Sequence, residues 1–178
     1  KNQPTRTISF DNCIAPKSNL VGKEGEGFKI AMQGLDGGRI NIASCSLGAA
    51  RFCIEKTINY VNERKQFGKY LKDFQSVQFK LADMITDFEA AKLMVHKAAE
   101  ALDKNEKHST ISSAMAKRYA TDVCFRICNE ALQIHGGYGY LADFGIEKMV
   151  RDCRVHQILE GTNEIMRVII ARKFLDRE

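Results

Sequence analysis

The sequence predicts an all-α fold, an antiparallel four-helix bundle preceded by a short β tail. Apolar residues recur at spacings of three and four over several long stretches, which is the pattern of amphipathic helices. The breaks between these stretches are short, so successive helices are expected to run antiparallel beside each other. Residues 1–22 instead alternate polar and apolar side chains around turn residues, as strands do. The chain therefore divides into a strand segment, 1–22, whose partner strands are absent, and a helical bundle, 23–178.

Turn residues set the expected helix boundaries. Asp36, Gly37 and Gly38 are expected to break the first helical stretch and to start a new helix. Gly136 and Gly137 are expected to end the third long helix, because glycine permits a left-handed exit. The expected helices cover about 26–34, 40–67, 74–102, 111–134, 145–152 and 162–176.

Charge and hydropathy narrow the functional class. The net charge is +5, but the 27 basic residues are dispersed among 22 acidic ones. No basic block with interleaved aromatic residues occurs, so nucleic-acid binding is not expected, whereas a phosphate-bearing small ligand would suit the dispersed excess. No apolar run approaches eighteen residues, so no membrane span is expected. The chain begins at Lys1 without a targeting signature, as a processed or partial chain would.

Six cysteines occur without a CxxC pair. They are expected to be small buried hydrophobic residues in a reducing compartment. Cys124 and Cys128 share a helix face and His135 follows, but a fourth ligand at zinc-like spacing is missing, so no metal site is expected.

Glu160, in the stretch QILEGTNEIMR, is the first candidate for chemistry. It follows Ile158 and Leu159, and a carboxylate beside aliphatic groups is a stronger base because its charged form is poorly solvated. Gly161 would let a flat substrate approach the backbone closely. Thr162 is placed to cap the last helix, which leaves N–H groups free for an anion or a carbonyl. An ordinary acidic residue in a turn between helices fits the same residues.

Three other stretches fit either a ligand site or a purely structural role. In RKQFG, Arg64 could bind a phosphate and Phe67 could cover an aromatic ring, or the arginine could simply complement the helix dipole. Asp36 and Arg39 fit either a ligand clamp or a helix cap with a local ion pair. The glycine-rich stretch 135–140 lacks GxGxxG spacing and follows a helix, which excludes a Rossmann loop and leaves a helix end plus loop.

Six motifs in order resemble the C-terminal region of the acyl-CoA dehydrogenase family over nearly the whole chain. The sequences of the second, fifth and sixth motifs are most similar to the family member of valine catabolism. The motifs are EGEGF at 24–28, GGRINIASCSLGAA at 37–50, RKQFG at 64–68, Gln75, QxxGGYGY at 133–140 and RDCRVHQILEGTNEIMR at 151–167.

The resemblance implies a fold and a reaction. In the family a C-terminal four-helix bundle follows a middle β domain, so 1–22 would be the last strands of that domain. Glu160 would be the base that removes the α-proton of a short branched acyl-CoA, with isobutyryl-CoA the expected substrate, while the β-hydrogen leaves to FAD. Some members carry the base just before the arginine of the earlier helix. That position is Gly38 here, which has no side chain, so both motifs agree on Glu160.

The resemblance also assigns ligand contacts. Other members carry a charged or bulkier residue where Gly37 and Gly38 stand, so the details of the CoA contact are expected to differ while Arg39 is kept. The expected acyl-CoA contacts are Asp36, Arg39 and Gly161. The expected FAD contacts are Arg64, Phe67, Phe74, Gln75, Gln133, Gly136, Gly137, Thr162 and Glu164. All of them except Thr162 and Glu164 are expected to reach FAD across a dimer interface.

The family further implies partners and a location. The assembly would be a dimer of dimers, and electrons would pass to an electron-transferring flavoprotein. The location would be the mitochondrial matrix in a eukaryote or the cytoplasm in a bacterium. Two alternatives remain open: an acyl-CoA oxidase on the same scaffold, in which oxygen reoxidises the flavin, and a non-catalytic helical interaction module.

Overall fold

A computed structural model of the protein describes residues 6–175. Within that range the chain forms five α-helices and one two-stranded hairpin, so the predicted helical bundle is confirmed. In order these are α1 (Gly27–Glu63), β1 (Lys65–Gln66), β2 (Lys69–Tyr70), α2 (Gln75–Asp103), α3 (Ser109–His135), α4 (Ile146–His156) and α5 (Asn163–Leu175). Single 3-10 turns lie at Lys17–Asn19, Leu71–Asp73, Gly136–Tyr140 and Ala142–Phe144.

Helix α3 is the centre of the bundle, because it packs against α1, α2, α4 and α5. Its buried face is made mostly of small residues, which allows neighbouring helices to approach closely. The same holds for the facing sides of α1 and α2. The fully buried small residues include Ala43, Ala50, Cys53, Ala91, Ala98, Ala116, Ala120, Cys124, Cys128 and Ala131.

The cysteines only partly follow the expectation. Those at 53, 124, 128 and 153 are buried, whereas Cys13 and Cys45 are exposed. Cys13 lies in the tail, outside the helical pattern. Cys45 lies on the outer face of α1, next to the buried Ser46.

The break expected at Asp36–Gly37–Gly38 is wrong, because α1 continues through all three residues. Neither glycine has a positive φ. Asp36 binds Arg39 within the helix and Thr110 of α3, so it joins two helices and does not start one. The first helical stretch and the long helix are therefore one element.

The expected strands of the tail are not formed within residues 6–22, which contain only the turn at Lys17–Asn19. Thr5 lies outside the described residues. Ile8, Phe10 and Ile14 are all at least three-quarters exposed, so these three apolar side chains are not packed into the bundle. Its assignment to a preceding β domain stays a prediction.

The other boundaries agree with the sequence within a few residues. Gly136 has φ +58° directly after α3, as expected for a glycine exit. The last predicted helix runs to Leu175, and residue 176 lies outside the described range. Within residues 6–175, every helix is too short or too polar to cross a membrane.

Candidate functional site

Two side chains lie on backbone conformations that they disfavour. Positive φ at non-glycine residues in the described chain occurs at Asn12, Phe67, Asn105 and Glu160. Asparagine tolerates this conformation, but at Phe67 (φ +52°) and Glu160 (φ +57°) it is strained. Backbone strain collects at functional sites. Both residues are among the candidates named from the sequence.

The carboxylate of Glu160 lies over the backbone of Gly38. A Cβ added to Gly38 would be 2.7 Å from Cδ of Glu160 and closer still to Oε2. Any side chain at position 38 would therefore compete with the carboxylate for the same space. Glu160 is half-buried in the turn between α4 and α5. The two positions considered for a base, 38 and 160, thus meet at one place in the fold.

A buried lysine binds the turn that carries Glu160. Lys117, in the middle of α3, has no solvent-exposed surface. Its Nζ donates to Gly161 O at 2.8 Å and to Asn163 Oδ1 at 2.7 Å. Burial lowers the pKa of Lys117 to about 8, and the attraction of Asp122 opposes this shift. The ammonium group is therefore retained by these contacts against a cost of desolvation.

Asp36 and Arg39 form a buried ion pair beside the same turn. Arg39 Nη1 donates to Asp36 Oδ1 at 2.6 Å, and Thr110 Oγ1 donates to Asp36 Oδ2 at 2.6 Å. Arg39 is 5% exposed, and its Nε is buried without a hydrogen-bond partner within residues 6–175. A buried donor without a partner is costly. A ligand acceptor at this position would remove that cost.

The other candidate residues near Glu160 differ in how firmly the structure holds them. Gly161 has φ +87°, and a Cβ there would lie 2.9 Å from Met166 Cε, so glycine is required by both conformation and space. Thr162 Oγ1 accepts from the N–H of Ile165 at 3.4 Å, which is the expected cap of α5. The side chain of Glu164 is 80% exposed. It is open to a neighbouring group.

A second cleft, of about 410 Å³, lies at the other end of α1. It brings together three candidates from distant parts of the sequence, Arg64, Gly136 and Gly137. The lining residues are Tyr60, Arg64, Gln66, Leu71, Ile134, His135, Gly136, Gly137, Tyr138 and Leu141. Gln133 is exposed on the last turn of α3, beside this cleft.

Aromatic rings and a cation form the wall of this cleft. Tyr60 stacks on His135 with ring centroids 4.3 Å apart, and Arg64 lies 5.3 Å over the ring of Tyr138. Burial lowers the pKa of His135 from its ordinary value, so its ring is held in the neutral form. A Cβ added to Gly137 would meet nothing within 4 Å, so packing inside the described chain does not require glycine there.

The hairpin displays an aromatic ring next to this cleft. Phe67 and Gly68 both have positive φ and form the two-residue turn between β1 and β2. Phe67 is 93% exposed, and its ring meets that of Phe74 edge-on, with centroids 6.4 Å apart. Gln75 follows as the exposed first residue of α2. The hairpin therefore presents its aromatic side chain to solvent instead of to the bundle.

The two sites are far apart in one chain. Gly38 lies on α1, and Arg64 directly follows the last residue of that helix, 26 positions further along the chain. At about 1.5 Å per residue this separation is ~39 Å. The expected ligand-binding residues therefore form two groups, one around Glu160 and one around Arg64.

The residues that bind the turn of Glu160 and the Asp36–Arg39 ion pair were not identified from the sequence. Lys117, Thr110 and Asn163 were missed, because each looks like an ordinary polar residue of a helix. One sequence feature could have revealed them: Lys117 stands among the small residues that form the buried face of α3. A lysine at such a position must have a partner elsewhere in the fold.

The sequence was compared with family models and with known proteins. A family model described as acyl-CoA dehydrogenase, C-terminal domain, matches residues 25–175. Isobutyryl-CoA dehydrogenase, mitochondrial, of Bos taurus is 53% identical over 174 residues, which cover 98% of this chain and 42% of that protein. The chain thus spans less than half the length of this curated relative.

Solved structures share the fold over most of the chain. Butyryl-CoA dehydrogenase from Megasphaera elsdenii superposes with a TM-score of 0.87 at 45% identity, covering 90% of this chain and 42% of that one. A chain in a structure described as the electron transferring flavoprotein of Acidaminococcus fermentans gives a TM-score of 0.91 at 45% identity. That match covers 94% of this chain and 44% of that one.

Proposed function

The chain belongs to the acyl-CoA dehydrogenase family, and we propose that it supplies the catalytic base for flavin-dependent α,β-dehydrogenation of a short branched acyl-CoA. The proposed reaction converts isobutyryl-CoA to methacrylyl-CoA. The observation that carries the proposal is the carboxylate of Glu160, half-buried over Gly38 on a strained turn. The similarity to bovine isobutyryl-CoA dehydrogenase supports the choice of acyl chain.

Glu160 takes the α-proton of the thioester. The C–H bond breaks, the proton moves to a carboxylate oxygen, and the electron pair stays on the substrate carbon. Glu160 is well suited to this step because its turn keeps the carboxylate against the helix and partly away from solvent, which favours proton transfer to it. FAD, when bound, supplies the acceptor for the β-hydrogen and its electron pair.

Residues around the base would hold the acyl-CoA. Arg39 Nε is a buried donor without a hydrogen-bond partner in residues 6–175, and Asp36 binds Nη1 of the same guanidinium. The absence of side chains at Gly37 and Gly38 leaves the outer face of α1 open next to the carboxylate. Gly161 adds no bulk to the turn itself. This end of the bundle therefore suits a flat thioester lying across α1.

The second cleft suits FAD. Arg64 offers a cation for a phosphate, and the backbone of Gly136 and Gly137 is open to close approach. Phe67 offers an exposed ring for the flavin or the adenine. The Phe74 ring contacts that of Phe67, Gln75 follows Phe74, and Gln133 precedes the lining residue Ile134, so all three would border the same group. Thr162 and Glu164 would contact FAD from the other site, next to the base.

Two subunits are needed to complete one active site under this proposal. An FAD molecule is too short to span the ~39 Å that separates Gly38 from Arg64 along α1. One copy would therefore contribute the Glu160 side and a second copy the Arg64 side. We propose a dimer on this ground and, from membership of the family, a dimer of dimers, with acyl-CoA as substrate and an electron-transferring flavoprotein as acceptor. A mitochondrial matrix location follows for a eukaryotic source and the cytoplasm for a bacterial one.

A spectroscopic titration tests the proposal. The full chain that carries this segment is purified and its flavin absorbance is recorded while isobutyryl-CoA is added without oxygen. The proposal expects bound FAD that bleaches on mixing. A flavin band that stays unchanged would contradict it, and absence of flavin would favour a helical interaction module. Rapid recovery of the band in air, without an electron-transferring flavoprotein, would indicate the oxidase.

A further inference from the structure

We propose that Lys117 is a positioning residue for Glu160: its buried ammonium group binds the Gly161 carbonyl and so holds the strained turn that directs the carboxylate at Gly38. The inference rests on the proposed function of Glu160 as the base. It concerns a residue that touches neither substrate nor cofactor in the proposed mechanism. Its effect is on where the base lies.

The turn that carries the base requires an external restraint. Glu160 and Gly161 have φ of +57° and +87°, so two consecutive residues lie in the left-handed region. Gly161 adopts this conformation freely, whereas Glu160 does not. Without a restraint the turn would relax and the carboxylate would leave the space above Gly38.

Lys117 supplies that restraint from the centre of the bundle. Nζ binds one peptide oxygen of the turn, Gly161 O at 2.8 Å, and the first residue of α5, Asn163 Oδ1 at 2.7 Å. Asn163 Nδ2 in turn donates to Thr121 Oγ1 at 2.9 Å and to Asp122 Oδ1 at 2.7 Å. Hydrogen bonds from an ionised donor are stronger than neutral ones. The turn is thus fixed to α3, the helix that packs against all four others.

Packing alone does not explain a lysine at this position. A methionine or leucine would fill similar space without burying a charge, and such replacements are often neutral or stabilising for a buried ion. Lys117 is fully buried, and desolvation disfavours its charged form. A group kept at this cost, with its ammonium directed at the base-bearing turn, is more readily explained by positioning than by stability.

The ammonium group of Lys117 is expected to lose its proton in mildly alkaline solution. The pKa of Lys117 is lowered to about 8 by burial. The charged groups around it are Asp122 on its own helix, Arg39 on α1, Glu164 on α5 and Glu160 in the turn. Above this pKa the amine is neutral and its hydrogen bonds to the turn weaken. The limiting rate of proton abstraction is therefore expected to fall as the pH rises through about 8.

The test compares Lys117→Met with a control, Lys92→Met, in the full FAD-loaded chain. Lys92 is a partly exposed lysine that pairs with Glu89 on its own helix, so the control removes the same charge away from the turn. Anaerobic stopped-flow mixing with isobutyryl-CoA gives the limiting rate of flavin bleaching and the half-saturating concentration. Lys117→Met is expected to lower the limiting rate by at least tenfold, since misplacement by 1 Å costs about 10²-fold. The half-saturating concentration should change little, and the control should match the wild type.

Two further measurements separate positioning from a loss of folding. Lys117→Arg keeps a positive charge at every pH, so its rate should lack the decline that the wild type shows above pH 8. A crystal structure of Lys117→Met should show Glu160 moved away from Gly38. An unchanged limiting rate with full FAD content, or an unchanged turn in that crystal, would overturn the inference. If Lys117→Met does not fold, Lys117→Leu takes its place, and an unchanged limiting rate or an unchanged turn in that variant would overturn the inference.

The structural measurement does not depend on activity. If the wild-type chain fails to bleach with isobutyryl-CoA, the proposed function fails. The position of Glu160 in the Lys117→Met crystal would then still decide whether Lys117 holds the turn.

Discussion

The side chain of Glu160 occupies the space that a side chain at Gly38 would need, although 122 positions separate them in sequence. Helix α1 therefore accepts a glycine in its interior, where glycine weakens a helix. The helix tolerates this weakness because the carboxylate fills the gap. Under the proposed function, a base at either position would therefore reach the same reacting atom.

Gly38→Ala is expected to separate stability from activity. The new methyl group displaces the carboxylate, and the flexible glutamate moves before the helix does. The helix gains about 0.5–1 kcal/mol of stability from alanine, whereas the rate of flavin bleaching falls at least tenfold. The control is Gly34→Ala in the same helix, where a Cβ meets nothing within 4 Å. Equal bleaching rates in the two variants would show that the carboxylate does not act from above Gly38.

Moving the base tests the shared space directly. Glu160→Gly should lower the bleaching rate by about 10²–10⁴-fold, the usual contribution of a general base. Adding Gly38→Glu to that variant should restore at least tenfold, because the new carboxylate enters the vacated volume. The measurement is stopped-flow bleaching at matched FAD content. A double variant as slow as Glu160→Gly would argue against a common position.

Arg64→Ala is expected to loosen FAD and to weaken assembly together, because its ligand would lie against another copy of the chain. Retained flavin after gel filtration and the size from light scattering give the two readouts. Arg51→Ala is the matched control, since Arg51 is an exposed arginine of α1 that pairs with Glu55. Full flavin content and an unchanged oligomer size in Arg64→Ala would contradict the assignment of the second cleft as an FAD site between two copies of the chain.

The lowered pKa of His135 predicts that the folded protein loses stability in mildly acidic solution. Its pKa is lowered by burial, so the unfolded chain takes up a proton before the folded chain does as the pH falls below the ordinary value of 6.5. The neutral ring's contribution to the free energy of unfolding is complete above pH 6.5 and is lost as the pH falls toward the lowered pKa of the folded chain. The thermal midpoint at pH 5.5 should lie below that at pH 7.5. His135→Gln should reduce this difference; an identical difference would assign the effect to other groups.

Much of the bundle could be predicted because its helices follow local rules. The periodicity of α2 and α3 and the glycine exit at Gly136 are encoded within a few residues of where they act. The failure at Asp36–Gly37–Gly38 has a non-local cause. Asp36 is bound by Thr110 of α3, 74 positions away, and the space above Gly38 is filled from the turn before α5. Local turn chemistry pointed to a break that tertiary contacts prevented.

The candidate site was only partly accessible from the sequence. Glu160 could be chosen because its motif is distinctive. Lys117 could not, because its role depends on Gly161 and Asn163, residues that only the fold brings to it. The separation between Gly38 and Arg64, by contrast, already followed from the single helix that the sequence predicts over 40–67.

The most direct test of the central claim is anaerobic mixing of isobutyryl-CoA with FAD-loaded Glu160→Gln. The amide keeps the size of the side chain but is not able to accept the α-proton. We predict that this variant binds FAD as the wild type does and that its flavin does not bleach, while Glu89→Gln on the surface of α2 bleaches normally. Bleaching of the Glu160→Gln flavin at the wild-type rate would contradict the assignment of Glu160 as the base.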